Sequence, residues 1–264
     1  MIRLFTIIAF LIPAFAFSPA DMVPSFVVKT EAEKMTTDNI GNVYLIKAES
    51  ILKYDSKGIL QKTFSNKTFG AITSADATNA LRIVLFYKDF NRVVILDNTM
   101  SQNGDPIQLD ALGYPLASLV GSSHDNGLWI YDQQNFELLR LNRNLEVEQR
   151  TGNLSQLLGI ALQPNFIMEK DDRLFLNNPA TGILVFDIYG TYSKTIPVKD
   201  LKTFQVIEDK ILYFQSPTIS MWDLPTAEIS AFDDPHDTAA VDMRMEKNAF
   251  FVLTKQQLEI YNKQ

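Results

Sequence analysis

A short motif recurs along this chain at intervals of about 40 residues. Each copy has an apolar residue, any residue, a large apolar or aromatic residue, and then Asp or Asn. Four clear copies and two looser ones lie at Leu52–Asp55, Val94–Asp97, Leu139–Asn142, Leu184–Asp187, Ser220–Asp223 and Glu259–Asn262. A period near 40 built from short strands is typical of β-propeller blades, whereas helical repeats would place apolar residues every three to four positions.

Each repeat also contains an apolar run upstream of the motif, which we interpret as the preceding strand of the same blade. These runs lie at Val43–Ile46, Leu81–Tyr87, Leu128–Tyr131, Leu174–Leu176, Ile211–Phe214 and Phe250–Leu253. Turn residues bound them, so the sequence predicts hairpins. The Asp or Asn that ends the motif is expected to accept a backbone N–H two residues later and so start the turn into a fourth strand.

The last repeat stops within its third strand, and an unassigned strand precedes the first repeat. That strand covers Ser25–Thr30. Pairing it beside the last blade would close a ring and protect the open edge. The sequence therefore predicts an all-β, six-bladed β-propeller over residues 17–264, closed by its N-terminal strand, and we expect a monomer.

The N-terminal segment has the pattern of a secretory signal peptide. Arg3 precedes an apolar run over Leu4–Phe17, and Ala14–Ala16 is a small-x-small cleavage site. The run is too short for a membrane anchor, which needs about 20 apolar residues. We expect residues 1–16 to be removed and the mature protein to be exported, to the periplasm or the extracellular space, without spanning the membrane.

The first repeat resembles the repeat of the NHL-like group of six-bladed propellers, found among exported bacterial proteins. The resemblance is carried by Asp38–Tyr44 followed by Leu52–Gly58. It implies the propeller fold. It leaves the function open, because members of the group include protein-binding modules, ligand-binding modules, sensors and hydrolases.

Composition excludes several classes of site. The chain has no cysteine, which rules out disulfides, thiolate metal sites and a cysteine nucleophile. Its 24 basic and 31 acidic residues give a net charge of −7. Since that charge repels phosphate backbones, no nucleic-acid partner is expected. No cofactor is expected either.

Propellers of the lactonase and gluconolactonase type hold a divalent cation in the central channel with acidic and amide side chains from several innermost strands. We place the innermost strands of this chain at Met35–Thr37, Ala71–Ser74, Leu116–Leu119, Phe166–Met168, Phe204–Ile207 and Val241–Met245. Only Gln205 and Asp242 in these strands suit a cation. A metal hydrolase is therefore disfavoured.

Three glutamates at equivalent places before the first hairpin turn are weak metal candidates: Glu169, Glu208 and Glu246. Each has a lysine within two residues, which favours solvated hairpin tips instead. The densest polar cluster, Asp233–Asp237 with His236, is interpreted as a turn-rich loop. We interpret His124 as a surface residue.

The favoured function is a non-catalytic, exported scaffold that binds an envelope component or a secreted protein. The alternatives are a lactonase-like hydrolase and a small-ligand sensor. The sensor hypothesis rests on amide-rich loops at Gln133–Asn135, Asn177–Asn178 and Gln215–Ser216.

Two apolar links that flank blade three are the predicted docking site for a partner. They cover Ile107–Leu116 and Leu154–Leu162. Large exposed apolar patches mark interaction sites, but these leucines also fit a role in capping blade three. The candidate binding residues are Leu112, Tyr114, Leu116, Leu154, Leu157 and Leu158, together with Tyr131, Asn177 and Gln215.

Overall fold

The computed structural model describes residues 23–215, 218–233, 240–246 and 249–262. The predicted signal peptide at residues 1–16 and most of the Asp233–Asp237 cluster, His236 included, lie outside the described residues. The described residues form 24 strands in six antiparallel sheets of four strands each. This is the predicted six-bladed propeller.

Within blades 1 to 5, the strands run in chain order from the inside to the outside. The innermost strands of blades 6, 1, 2, 3 and 4 contact one another in that order around the central channel. The innermost strands of blades 1 to 6 are β2 Lys34–Thr37, β6 Ser74–Asn79, β10 Ala117–Ser122, β14 Phe166–Lys170, β18 Gln205–Ile207 and β22 Ala240–Glu246. The second strands are β3 Val43–Lys47, β7 Arg82–Tyr87, β11 Leu128–Asp132, β15 Arg173–Asn178, β19 Lys210–Gln215 and β23 Ala249–Thr254.

The outer half of each blade follows the same order. The third strands are β4 Ser50–Tyr54, β8 Arg92–Leu96, β12 Glu137–Leu141, β16 Gly182–Asp187, β20 Thr218–Asp223 and β24 Gln257–Asn262. The outermost strands are β5 Leu60–Ser65, β9 Ile107–Gln108, β13 Val147–Arg150, β17 Tyr192–Ile196, β21 Ile229–Asp233 and, in blade 6, β1 Phe26–Lys29.

In blades 1 to 4 the recurrent Asp or Asn starts the turn that follows the third strand, as the motif predicts. Asp55 Oδ1 accepts the backbone N–H groups of Lys57 and Ile59, both at 2.9 Å. Three further copies of the motif do the same: Oδ1 of Asp97, of Asn142 and of Asp187 accepts the backbone N–H groups two and four residues later. The repeat is therefore a structural device of the turn.

The N-terminal strand closes the ring. β1 pairs antiparallel with β24, with Phe26 opposite Ile260 and Lys29 opposite Gln257. The Asn262 N–H also donates to Ser25 Oγ at 3.3 Å. The last blade is therefore built from strands of both chain ends, as predicted.

Six apolar clusters form the core, and each lies between two adjacent blades. One of them packs Trp129 and Tyr131 of blade 3 against Leu174 and Phe186 of blade 4. Another packs Val43 of blade 1 against blade 6. Because each cluster uses side chains from two blades, no blade buries its apolar surface alone.

Two innermost strands lie further along the chain than predicted. The expectation of a strand over Ala71–Ser74 is wrong, since β6 begins at Ser74. Ile72 gives that segment its apolar character, but it is buried in a link between blades. Likewise, Leu116 precedes β10, which extends to Ser122. The shift adds Asp76, Asn79 and Ser122 to the strands that surround the channel.

Helix is scarce in the described residues. The five-residue helix α1 covers Leu154–Leu158, and two 3₁₀ turns cover Lys67–Phe69 and Lys88–Phe90. Among these residues there is no helix with the length and apolar character needed to cross a bilayer.

Candidate functional site

The antiparallel order of the strands gives the ring two loop faces. Loops from first to second and from third to fourth strands lie on one face, which we call the hairpin face. Loops from second to third strands and the links between blades lie on the other, which we call the connection face. Each face carries one candidate site.

On the hairpin face, a recess of about 390 Å³ opens between the first hairpins of blades 2, 3 and 4. Blade 2 contributes Arg82, blade 3 contributes Ser122 and His124, and blade 4 contributes Glu169 and Lys170. A volume of this order fits a small organic ligand.

Glu169 forms the most connected part of this recess. Its Oε2 accepts the indole N–H of Trp129 at 2.5 Å, and its Oε1 accepts the backbone N–H of His124 at 2.6 Å. Nδ1 of the His124 ring lies 2.9 Å from Oε1, and Ser123 Oγ donates to Oε2 at 3.3 Å. The Glu169 side chain is only 6% exposed. The interpretation of Glu169 as a solvated hairpin tip is therefore wrong.

Glu246 is likewise a partly buried, bonded carboxylate and not a solvated tip. Its Oε1 accepts the Thr37 hydroxyl at 2.5 Å and the Gln205 amide at 2.9 Å. Burial raises the pKa of Glu246, and the nearby Asp38 carboxylate adds to that effect. Glu208, in contrast, is an exposed turn residue, as expected.

The three glutamates do not come together. Within the residues that the structure describes, no group of three or more His, Asp or Glu side chains is placed to hold a metal ion. Glu169 instead bonds to blade 3, and Glu246 bonds to blades 1 and 5.

Two aspartates beside the recess are also bonded. Asp76 Oδ2 accepts the Ser122 N–H at 2.8 Å. Asp125 Oδ2 accepts Arg140 Nη1 at 2.7 Å, and its Oδ1 accepts the Gly127 N–H at 3.0 Å. Burial opposes ionisation of Asp125, but hydrogen bonds from Ser123 and Gly127 and the Arg140 charge outweigh it and lower its pKa. Both aspartates therefore already have donors in place.

Arg82 differs from these groups because its guanidinium has no acceptor. The side chain is partly buried, and no hydrogen bond or ion pair links it to another described residue. Burial lowers its pKa, while Asp76 and Asp125 favour its charged form. An arginine stays protonated through shifts of this kind. The recess thus contains a cation whose N–H groups are unused.

On the connection face, the structure divides the candidate docking residues into two groups. Tyr114 and Leu154 are buried, at 7% and 0% exposure. Leu112 and Leu158 are partly buried and pack against the cores on either side of blade 3. These four side chains cap blade 3.

Leu116 and Leu157 are the exposed members, at 55% and 65%, and Phe136 joins them at 36%. Backbone hydrogen bonds connect their segments. The Gln133 N–H donates to Leu116 O at 3.1 Å, and the Leu154 N–H donates to Phe136 O at 2.9 Å. We call Leu116, Phe136 and Leu157 the blade-3 loop surface. Phe136, which follows the amide-rich run Gln133–Asn135, was not predicted from the sequence.

The remaining candidates on this face have structural contacts. Tyr131 is fully buried, and burial raises its pKa to about 12. The buried Asn177 amide donates to Leu201 O at 2.7 Å and to Asn165 Oδ1 at 2.6 Å. The exposed Gln215 donates to Lys199 O at 2.8 Å. By donating to backbone carbonyls, the Asn177 and Gln215 side chains hold the link between blades 4 and 5.

No protein-family model matches the sequence, and no curated protein matches it. Solved propellers resemble it in fold. A streptogramin B lyase superposes with a TM-score of 0.60 at 14% identity, covering 90% of this chain and 97% of that one.

Two further structures show the same likeness. A chain of the Mitotic Checkpoint Complex gives a TM-score of 0.63 at 9% identity, over 98% of this chain and 99% of that one. BamB from Moraxella catarrhalis gives a TM-score of 0.55 at 7% identity, over 92% of this chain and 100% of that one. At these identities the likeness shows the six-bladed propeller fold and nothing more specific.

Proposed function

We propose that this protein is a non-catalytic, exported propeller of the NHL-like group that binds an envelope or secreted protein through the blade-3 loop surface. The observation that carries the proposal is the exposure of Leu116, Phe136 and Leu157 on segments joined by backbone hydrogen bonds. Grouped apolar residues of this kind mark interaction sites.

The energetics favour a protein partner. Burying a leucine or phenylalanine side chain contributes about 1.5–3 kcal/mol, so these three residues supply a useful part of a binding free energy. The segments that carry them are anchored by Tyr114 and Leu154, which lie in the core. Because the surface is already ordered, little conformational entropy is lost on binding.

Two further observations support the proposal. The Mitotic Checkpoint Complex includes a propeller of similar fold, which shows that this architecture serves in protein assemblies. The pattern of residues 1–16 supports export.

The test is site-specific photo-crosslinking from position 136 in the cells that make the protein. The native background should give an adduct of defined mass with a second protein. The Leu116→Ser, Leu157→Ser double variant should lose that adduct and keep its melting temperature, because both side chains are exposed.

The matched control is Ile40→Ser with Leu81→Ser, on the hairpin face. These side chains are 72% and 69% exposed, so the control removes similar apolar area elsewhere and should keep the adduct. Equal adducts in both double variants would contradict the proposal. An adduct of twice the protein's own mass would indicate self-association instead and contradict the expected monomer.

One observation favours catalysis as a second candidate. The Nδ1 atom of His124 faces the buried Glu169 carboxylate, and the ring remains 42% exposed in the recess. A carboxylate at one ring nitrogen orients the other for proton transfer. The streptogramin B lyase shows that this fold can carry an enzyme. A lactonase-like hydrolase or a lyase is therefore the alternative.

A His124→Ala variant tests it on panels of lactones and esters. General acid–base catalysis accelerates a reaction about 10²–10⁴-fold. An activity that uses His124 should therefore fall at least about 100-fold in the variant. His124 is exposed, so the melting temperature should stay unchanged. Native protein without activity, or a variant that retains it, would remove this candidate.

A further inference from the structure

We propose that the recess on the hairpin face binds an oxyanion, a carboxylate or phosphate group of a small ligand, with Arg82 of blade 2 and Lys170 of blade 4 as its donors. The proposal concerns the face opposite the blade-3 loop surface and does not depend on protein docking there.

Three partly buried carboxylates in and beside the recess already accept hydrogen bonds. Glu169 receives bonds from Trp129, Ser123 and the His124 backbone. Asp76 receives the backbone N–H groups of Thr78 and Ser122, and Asp125 receives Arg140 and Gly127. Asp76 and Asp125 lie close enough to favour the charged form of Arg82, but their hydrogen bonds come from other donors.

The donors that face the recess are unused. Neither the Arg82 nor the Lys170 side chain has a hydrogen bond or an ion pair within the described part of the chain. Ser122 Oγ in the recess wall is buried and also lacks a partner. Unmet donors in a partly buried place are costly, and an acceptor from a ligand would satisfy them.

The chemistry of the donors selects the ligand class. A guanidinium presents a planar fork of N–H groups that matches two oxygens of a carboxylate or phosphate. An ammonium on the neighbouring side adds a point charge. Asp171 and Asp172, exposed at the rim, disfavour polyanions. The recess therefore suits one oxyanion group on a small molecule.

The test is an NMR titration of the full chain with inorganic phosphate and, separately, with acetate at constant ionic strength. The Nε–Hε signal of Arg82 is identified by its loss in Arg82→Gln. In native protein this signal should shift and saturate with a Kd on the order of 1 mM, typical of a single charged group. The backbone signals of Ser122 and Lys170 should follow it.

The matched control is Arg173→Gln, which removes an arginine of the same hairpin face that pairs with Asp209 at 3.0 Å. This variant should bind like native protein, whereas Arg82→Gln should weaken binding at least tenfold. Lys170→Gln, a second variant on another blade, should weaken it independently.

Saturable binding of either anion with this dependence supports the proposal, and a response to one anion alone identifies which oxyanion the recess takes. A linear, unsaturable response in native protein overturns it. So does equal binding by native protein, Arg82→Gln and Lys170→Gln.

Discussion

Carboxylates of the innermost strands join neighbouring blades. Asp76 of blade 2 accepts a backbone N–H from blade 3. Glu169 of blade 4 accepts hydrogen bonds from three donors, which also belong to blade 3. Glu246 of blade 6 accepts donors from blades 1 and 5. These hydrogen bonds connect blades beside the channel, where apolar packing gives way to polar side chains.

Glu246→Gln should change the pH dependence of stability. Burial raises the folded pKa of Glu246 above its unfolded value, so its contribution to unfolding free energy is fully present at low pH and is lost as pH rises through the folded pKa. A glutamine Oε1 can accept the same two hydrogen bonds without carrying charge. The variant should therefore be more stable than native protein at about pH 8 and equal to it at about pH 4, by chemical denaturation.

Glu208→Gln, at an exposed turn, should behave like native protein at both pH values. A Glu246→Gln variant that is less stable at the higher pH would show that the ionised carboxylate is the stabilising form.

The recurrent Asp and Asn were predictable from sequence because their partners are backbone N–H groups two to four residues away. The roles of Glu169 and Glu246 were not predictable in this way. Their partners come from blades tens of residues away, for example Trp129 for Glu169, 40 positions earlier in the chain. The lysine that follows Glu169 gave a local signal for solvent exposure, but the strand continues through both residues to the turn at Asp171.

Among the elements, α1 shows how a link between blades is held. Asn153 caps it by accepting the Gln156 N–H at 2.9 Å, and Gly159 ends it with a φ of 65°. A five-residue helix is not stable alone. It is fixed by Leu154, which lies fully buried in the core between blades 3 and 4, while Leu157 faces solvent.

Alanine substitutions should separate these two leucines. Leu154→Ala should cost about 2–5 kcal/mol of unfolding free energy, because it leaves a cavity in the core. Leu157→Ala makes the same change in helix propensity on the same helix. It should change the unfolding free energy by no more than about 0.5 kcal/mol. Urea denaturation measures both. Equal losses would contradict the observed orientation of α1 and remove Leu157 from the blade-3 loop surface.

The sequence predicted second and third strands better than first strands, and the reason is physical. β7 and β11 are apolar on both faces because each packs between two blades. β6 has the sequence SADATN, in which small and polar side chains lie beside the channel. Apolar periodicity therefore gives no signal for β6. It instead predicts a strand around Ile72, which is buried in the link before β6.

For the whole molecule, the six inter-blade clusters make the ring a single cooperative structure. The cluster between blades 1 and 6 includes Met35 and Leu45 from one side and Phe251 and Ile260 from the other. Val28 of β1 packs against the same cluster. Closing the ring therefore covers apolar surface in addition to pairing an edge strand.

Deleting residues 25–30 should lower the melting temperature of the entire protein in one transition. The deletion exposes the edge of β24 and uncovers part of the cluster between blades 1 and 6. Loss of apolar contacts on this scale costs several kcal/mol. Val27→Ser is the control, since that side chain is 49% exposed, and it should leave the melting temperature almost unchanged. An unaltered melting temperature after the deletion would show that β1 does not support the ring.

The pairing of β1 with β24 also determines when the molecule can fold. Ser25 and Asn262, which are hydrogen bonded, stand 237 positions apart. β1 precedes β24 in the chain, so β1 has no strand to pair with until the residues between them have been made. Contacts between such distant positions form slowly, because the chain entropy lost on closing the loop is not offset until the strands meet. One flank of blade 1 therefore stays uncovered until β24 is in place beside it.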